Sequence, residues 1–182
     1  MFWILPEEYL EGERLAEVKH EYVAGRVYAM AGASDNHNRI SMNIAAALHA
    51  RLRGKPCDVF AHDMKVRTAP EHGSSFYYPD VVVACDPTDN AKYYRERPLY
   101  VFEVISPDTE RTDRREKAIS YYYISTIEAY IITEQDRVAL TVNRRTPSGW
   151  KPELLEGKDA ILSLERLEFK MSLADIYERT GL

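Results

Sequence analysis

Apolar and polar positions along this chain change period several times, and each change marks an element. Residues 5–17, LPEEYLEGERLAE, space their apolar side chains as a short amphipathic helix with acids in its first turn, and Gly12 weakens it. HEYVAGRVYAM then divides around Ala24-Gly25 into two short β-like pieces, which predicts a hairpin. Ser34-Asp35-Asn36 reads as an N-cap and Gly54 as a stop. Between them Ile40, Ile44, Ala47, Leu48 and Arg51 trace one face of a helix of about four to five turns that packs on a sheet. CDVFAHDMKVRT sets Phe60, His62, Met64 and Val66 against Ala61, Asp63, Lys65 and Arg67, a strand or one half of a bent hairpin. APEHGSS is a loop.

Two β-rich apolar runs follow, Asp80–Cys85 and Leu99–Ile105, each bounded by proline. The short connection from Asp86 to Arg97 suits antiparallel neighbours. TERTDRREKAISYYY is charged with helical spacing, and EAYIITEQDRVALTVNRR reads strand–turn–strand with Gln135-Asp136 near the turn. SGWKPELLEG is a further strand-like piece, and SLADIYERTGL a short capping helix with Ser172 as its N-cap. With no internal repeat, low-complexity segment or linker, residues 1–182 read as a single α/β or α+β domain with a mixed central sheet flanked by helices.

Composition narrows the class. A chain of 182 residues with 45% apolar and 29% charged residues buries an ordinary core. A formal net charge of −5 gives no global positive field, which lowers a nucleic-acid partner without removing it, since clefts can be locally basic. Cys57 and Cys85 lack metal-ligand spacing and point to reduced thiols in a cytoplasmic protein. Pro6, Glu7 and Glu8 interrupt the start, and no stretch approaches the roughly 18 apolar residues of a membrane helix, so neither export nor membrane spanning is expected.

The candidate chemistry lies between Tyr77 and Tyr130. Each apolar run carries one acid, Asp80 at the start of the first and Glu103 inside the second. Burying an unpaired carboxylate is costly, so a shared metal ion or a buried salt bridge is called for. Paired strands would let both acids converge on a hard cation, which takes oxygen ligands. Glu103 and Ile105 share a strand face and Val104 points to the other. Asp113, Lys117 and Tyr121 fall at successive i,i+4 positions on one helix face. The ordinary alternative there is a solvated Asp113–Lys117 ion pair; the functional one is a lysine that orients a water and stabilises phosphate charge. Glu21 opens the hairpin, where a solvated strand-end acid is the ordinary expectation. For His37, in a helix first turn, the expectation is a surface imidazole. Asp63 is a second-rank acid.

The pieces HEYVAGRVYAMAG, His37 opening the first long helix, YPDVVVACDP, LYVFEVISPDTERTDRREKAISYY and EAYIIT together resemble the Uma-type family of restriction-endonuclease-like proteins, within the PD-(D/E)xK nuclease superfamily. The resemblance runs from about Tyr9 to Tyr177. It implies a restriction-endonuclease-like core and a nuclease that uses magnesium or manganese to hydrolyse phosphodiester bonds, with DNA as the partner. It maps Asp80 and Glu103 to the superfamily's two metal-holding acids. Ile105 stands where the usual lysine would be, and the family's lysine, moved to the following helix, maps to Lys117. Glu21 matches an N-terminal glutamate that acts as an extra ligand or support, and the Val104 carbonyl corresponds to a further metal oxygen. STIEAYII lacks the family's glycine and its tryptophan, changes that concern packing. Cutting both strands of a duplex would call for a symmetric homodimer. A catalytically silent binding or assembly module and a phosphodiesterase acting on a small nucleotide are the competing readings. From Asn90 to Ser120 basic and acidic residues nearly balance, which favours the silent module.

Overall fold

The computed structural model describes residues 3–68, 73–105 and 112–182, with the backbone alone for 112–114. Pro6 starts α1 (Pro6–Glu13), which ends well short of residue 17 because Gly12 and the turn after it give no further apolar face. β1 (His20–Val23) and β2 (Arg26–Ala29) pair antiparallel as the expected hairpin. Its two turn residues, Ala24 at φ 45° and Gly25 at φ 87°, both take the positive φ that a tight primed turn needs. A Cβ on Gly25 would also meet the Trp3 ring, which would have to shift. α2 (Asp35–Leu52) starts at Ser34, whose hydroxyl accepts the His37 N–H, and Gly54 at φ 76° follows its end.

The run from Cys57 to Thr68 departs from a single strand. His62 adopts φ 60°, and the chain divides into β3 (Asp58–Ala61) and β4 (Lys65–Thr68), which join different sheets. The APEHGSS loop lies largely in 69–72, outside the described residues. β5 (Ser75–Tyr77), β6 (Val81–Ala84), the two-residue β7 (Tyr94–Arg95) and β8 (Pro98–Ile105) follow. A π-helical turn at Thr112–Lys117 leads into α3 (Ala118–Tyr122), in place of one continuous α-helix. β9 (Ala129–Glu134), β10 (Ala139–Thr146) and β11 (Gly149–Glu156) form a meander. β12 (Ile161–Leu164) and β13 (Phe169–Ser172) make a hairpin that the periodicity does not announce, and α4 (Leu173–Ile176) is capped by Ser172 as expected.

A six-stranded mixed sheet, ordered β11-β10-β9-β8-β6-β3, is the centre of this α+β fold. β6 and β8 pair antiparallel, while β8 and β9 pair parallel, which is why the chain between them crosses over through α3. β8 is buried at every position because both of its faces are covered. On one face Ile40, Ile44 and Leu48 of α2 pack on Val81, Val83, Phe102 and Val104. On the other, Val82, Val101, Ile105 and Tyr130 meet Ala118 and Tyr121 of α3 together with Val66 and Tyr77. Those last two belong to a five-stranded sheet, β2-β1-β5-β4-β7, whose outer face sets Tyr22 and Phe76 against Tyr9 of α1. Among the described residues, no helix is long and apolar enough to cross a membrane.

The cysteines correct the reduced-thiol expectation: Cys57 and Cys85 form a disulfide. The reason is register. β3 and β6 pair Asp58 with Ala84, so one step further brings the two cysteines face to face, with Cα atoms 4.0 Å apart. Spacing along the chain carries no sign of that pairing. Linking residues 28 apart should contribute about 3 kcal/mol. Cys85→Ser is therefore expected to lower the denaturation free energy by that order without reductant and by little with it. Thiol titration of the unreduced, denatured wild-type chain should find no free thiol.

Candidate active site

The start of β6, the end of β8 and the start of α2 converge at one end of the central sheet's inner strands. Pro79 has no N–H, so the ladder of β6 begins only at Val81 and leaves Asp80 just outside it. The Val81–Phe102 register, extended by one step, sets Asp80 across from Glu103. Asp80 is fixed there by donors from both sides. Its Oδ2 accepts the Val104 N–H at 2.7 Å, and its Oδ1 lies 2.7 Å from His37 Nε2 and 3.8 Å from His62 Nδ1. His37 occupies the first turn of α2, whose N-terminal dipole also favours a negative group. The surface expectation for His37 is thus corrected: the helix start is aimed at Asp80.

Glu103 is only 3% exposed, a carboxylate in the most buried strand of the protein. Its Oε1 accepts from Lys117 Nζ at 3.4 Å and from the Tyr121 hydroxyl at 3.2 Å. The same ammonium lies 2.8 Å from Glu21 Oε1, which also accepts the Tyr78 N–H at 3.3 Å. Lys117, itself 6% exposed, therefore joins the five-stranded sheet to the central one through two acids. Burial, reinforced by Glu103, holds the Tyr121 phenol well above its ordinary pKa, so it stays protonated and donates.

The structure brings Asp80, Glu103, Lys117, Glu21, Val104 and Tyr121 into this one region. The side chain of Asp113 lies outside the described residues. Asp63 does not join: it is exposed and pairs with Lys19. Glu21 is not a solvated strand-end acid, because β1 is an inner strand of its sheet and turns Glu21 toward Lys117. Sequence reasoning missed His37 and His62 as neighbours of Asp80. The cap at Ser34 fixed which turn of α2 carries His37, but nothing local shows what that turn faces.

The model of a family described as "Uma2: Putative restriction endonuclease" matches residues 6–174. The chain belongs to the Uma2 family. Two curated relatives from Synechocystis sp. (strain ATCC 27184 / PCC 6803 / Kazusa) carry the description "uncharacterized protein". One, slr1290, is 33% identical over 145 residues, covering 79% of this chain and 75% of the relative. The other, sll1609, is 33% identical over 131 residues, covering 70% and 73%. The fold is similar to a crystal structure described as a putative nuclease belonging to DUF820 from Anabaena variabilis ATCC 29413. The TM-score is 0.77 at 15% identity, over 97% of this Uma2 chain and 99% of that one.

The donor set of this Uma2 site can be weighed for a metal. Among the described residues no three or more His, Cys, Asp or Glu side chains group as a metal cage. Magnesium does not need one, since it keeps several waters and takes one or two carboxylates. Asp80 and Glu103, oxygen donors on adjoining strands, fit that requirement.

Removing the ammonium alone should take from Glu21 and Glu103 the cation they share. Lys117→Met is expected to destabilise by about 3–5 kcal/mol in metal-free buffer. Adding Glu103→Gln to that variant should recover part of the loss, and chemical denaturation of the four proteins in the cycle reads it. A second expectation concerns alkali. The Tyr121 phenol is raised above the ordinary value of 10.0, so its stabilisation is whole below that pH and is lost as pH rises further. Tyrosinate absorbance should show this phenol ionising together with unfolding, after the exposed tyrosines.

Proposed function

We propose that residues 1–182 act as one nuclease unit, a divalent-metal-dependent endonuclease that hydrolyses phosphodiester bonds in DNA. The observation that carries the reading is the buried Lys117 ammonium between Glu21 and Glu103, on the strand whose Val104 N–H binds Asp80. Ile105 offers no charge at the strand position two residues after Glu103, and the turn before α3 delivers one instead. In this reading Asp80 and Glu103, with the Val104 carbonyl, hold magnesium or manganese. Such a cation supplies Lewis acidity toward a phosphoryl oxygen and a water.

The chain's own groups do the rest. Lys117 is positioned by Glu21 and Glu103 to orient the attacking water and to face the charge that develops on phosphorus oxygens. Tyr121 donates to Glu103 and so fixes the carboxylate that holds the lysine. His37 and the Val104 N–H fix the orientation of Asp80. Asp113 has a supporting role. Hydrolysis adds the water oxygen to phosphorus and breaks one P–O bond, with a proton passing to the leaving oxygen.

A cytoplasmic location belongs to the proposal as the place where nucleic acid is found, although the Cys57–Cys85 bond removes free thiols as support for it. A homodimer is the assembly that duplex cutting would use. A silent binding or assembly module is the second reading, favoured by the net charge of −5. It predicts the same fold without turnover.

Cleavage assays on single- and double-stranded DNA, with RNA alongside, separate the two. Activity should need magnesium or manganese and fall about a thousandfold or more in Asp80→Ala and in Glu103→Ala. Either metal should also raise the melting temperature of the wild type and leave that of Asp80→Ala unchanged. Turnover surviving in Glu103→Ala, with contaminating nuclease excluded, would sink the mechanism; no turnover on any nucleic acid would favour the silent module.

A further inference from the structure

The five-stranded sheet buries a second lysine, and among the described residues no acid is bound to this one. Alternation along the strands turns Glu21, Tyr77 and Val66 toward the central sheet, and His20, Tyr78 and Lys65 to the outer face. Lys65 is 6% exposed. Among the described residues, no acceptor lies within hydrogen-bonding or ion-pair distance of its ammonium. The nearest acids are already engaged. Glu13 accepts from the His20 N–H and the Tyr78 hydroxyl and pairs with the His20 ring, while Asp63 pairs with Lys19. What Lys65 has is a ring: its Nζ sits 4.8 Å from the centroid of Tyr78. Lys19 lies over the same ring at 5.8 Å.

An ammonium that loses part of its hydration and finds no protein acceptor is costly, and a cation–π contact offsets only part of that cost. Burial lowers the Lys65 pKa in consequence. The nitrogen is nonetheless not sealed in, because among the described residues the fully enclosed, unpaired side-chain atoms are Arg67 Nε and Thr133 Oγ1. The position of the group matters as much as its charge. Tyr78 gives its N–H to Glu21 and stands two residues before Asp80. His62 gives its N–H to the Asp80 carbonyl and accepts from Lys19 at 3.3 Å. Two lysines over one aromatic ring thus flank the turn that carries the Asp80 end of the candidate site.

We propose that Lys65, with Lys19 beside it over Tyr78, is a phosphate-binding subsite. It holds a non-scissile phosphate of the nucleic-acid strand next to the one engaged at Asp80 and Glu103. This deepens the nuclease reading and rests on it for the identity of the strand, while the capture of a phosphate group stands on the lysine alone. The arrangement also accounts for a site in an acidic protein, since one ammonium held free of acids does what a diffuse basic surface does elsewhere.

The test uses inorganic phosphate and a short single-stranded DNA oligonucleotide with the full chain. Phosphate should raise the wild-type melting temperature, leave Lys65→Met unmoved and still stabilise Lys65→Arg. Without ligand, Lys65→Met should melt above the wild type, because the variant no longer buries an unbound charge. For the oligonucleotide, with calcium filling the acidic centre, Lys65→Met should weaken binding severalfold and lower the slope of log affinity against log salt by about 1. Should Lys65→Met not fold, Lys65→Gln serves the same comparison. An undiminished phosphate shift in the Lys65 variant would overturn the subsite, and so would a variant that melts below the wild type with unaltered binding. A phosphate shift that depends on Lys65, in a protein that binds no oligonucleotide, would uphold the anion site and set aside the nuclease reading.

Discussion

A single buried ammonium bridges two sheets. Lys117 touches Glu21 from the five-stranded sheet and Glu103 from the central one, at a depth where neither acid meets much water. Three charges removed from solvent are tolerated only if each finds partners, and here the partners are arranged outward in sequence. The Tyr78 N–H serves Glu21, the Tyr121 hydroxyl serves Glu103, and the Tyr77 ring stands 5.7 Å from Lys117 Nζ. Such an arrangement fixes relative placement more than it adds stability, since apolar residues in the same volume would pack as well. What apolar residues could not supply is a cation of fixed position between Glu21 and Glu103.

The delivery of that cation follows from how β8 is built. Every position of the strand is buried, with Val104 turned to α2 and Ile105 to α3. A lysine at Ile105 would have to displace part of the packing around Tyr121 and Tyr130, whose rings are 5.0 Å apart. From the turn before α3 the same charge arrives along the helix axis and leaves that aromatic packing whole. The chain must cross over after β8 in any case, because β9 runs parallel to it.

Local chemistry made much of this legible. Ser34, Ser172 and the Ala24-Gly25 turn announced their elements because capping and positive φ are demands of a few adjacent residues. Asp80 and Glu103 stood out because acids are rare inside apolar runs, and Lys117 because its spacing to Tyr121 is helical. The disulfide, the His37 contact and the burial of Glu21 were not legible in that way. Each depends on which strands pair and which face a helix lays down, and both are set by distant chain. The split at His62 was hidden for another reason: an alternating pattern looks the same whether it continues in one sheet or passes to a second.

Among the described residues, the two buried lysines lie against opposite faces of the five-stranded sheet, and their environments differ in a way that packing alone does not demand. Lys117 on the inner side is matched by two carboxylates, whereas among the described residues Lys65 on the outer side meets a ring and no acid, with Glu13 close by but bound to three other donors. If Lys65 were there for stability, the simplest arrangement would let Glu13 pair with it directly. The structure spends that carboxylate on Tyr78 and His20 instead, and so holds still the ring over which the lysine lies. Buried charge kept away from its natural partner is a feature that folding does not favour, and it persists where something outside the chain completes it. An anion is the group whose chemistry would complete this one.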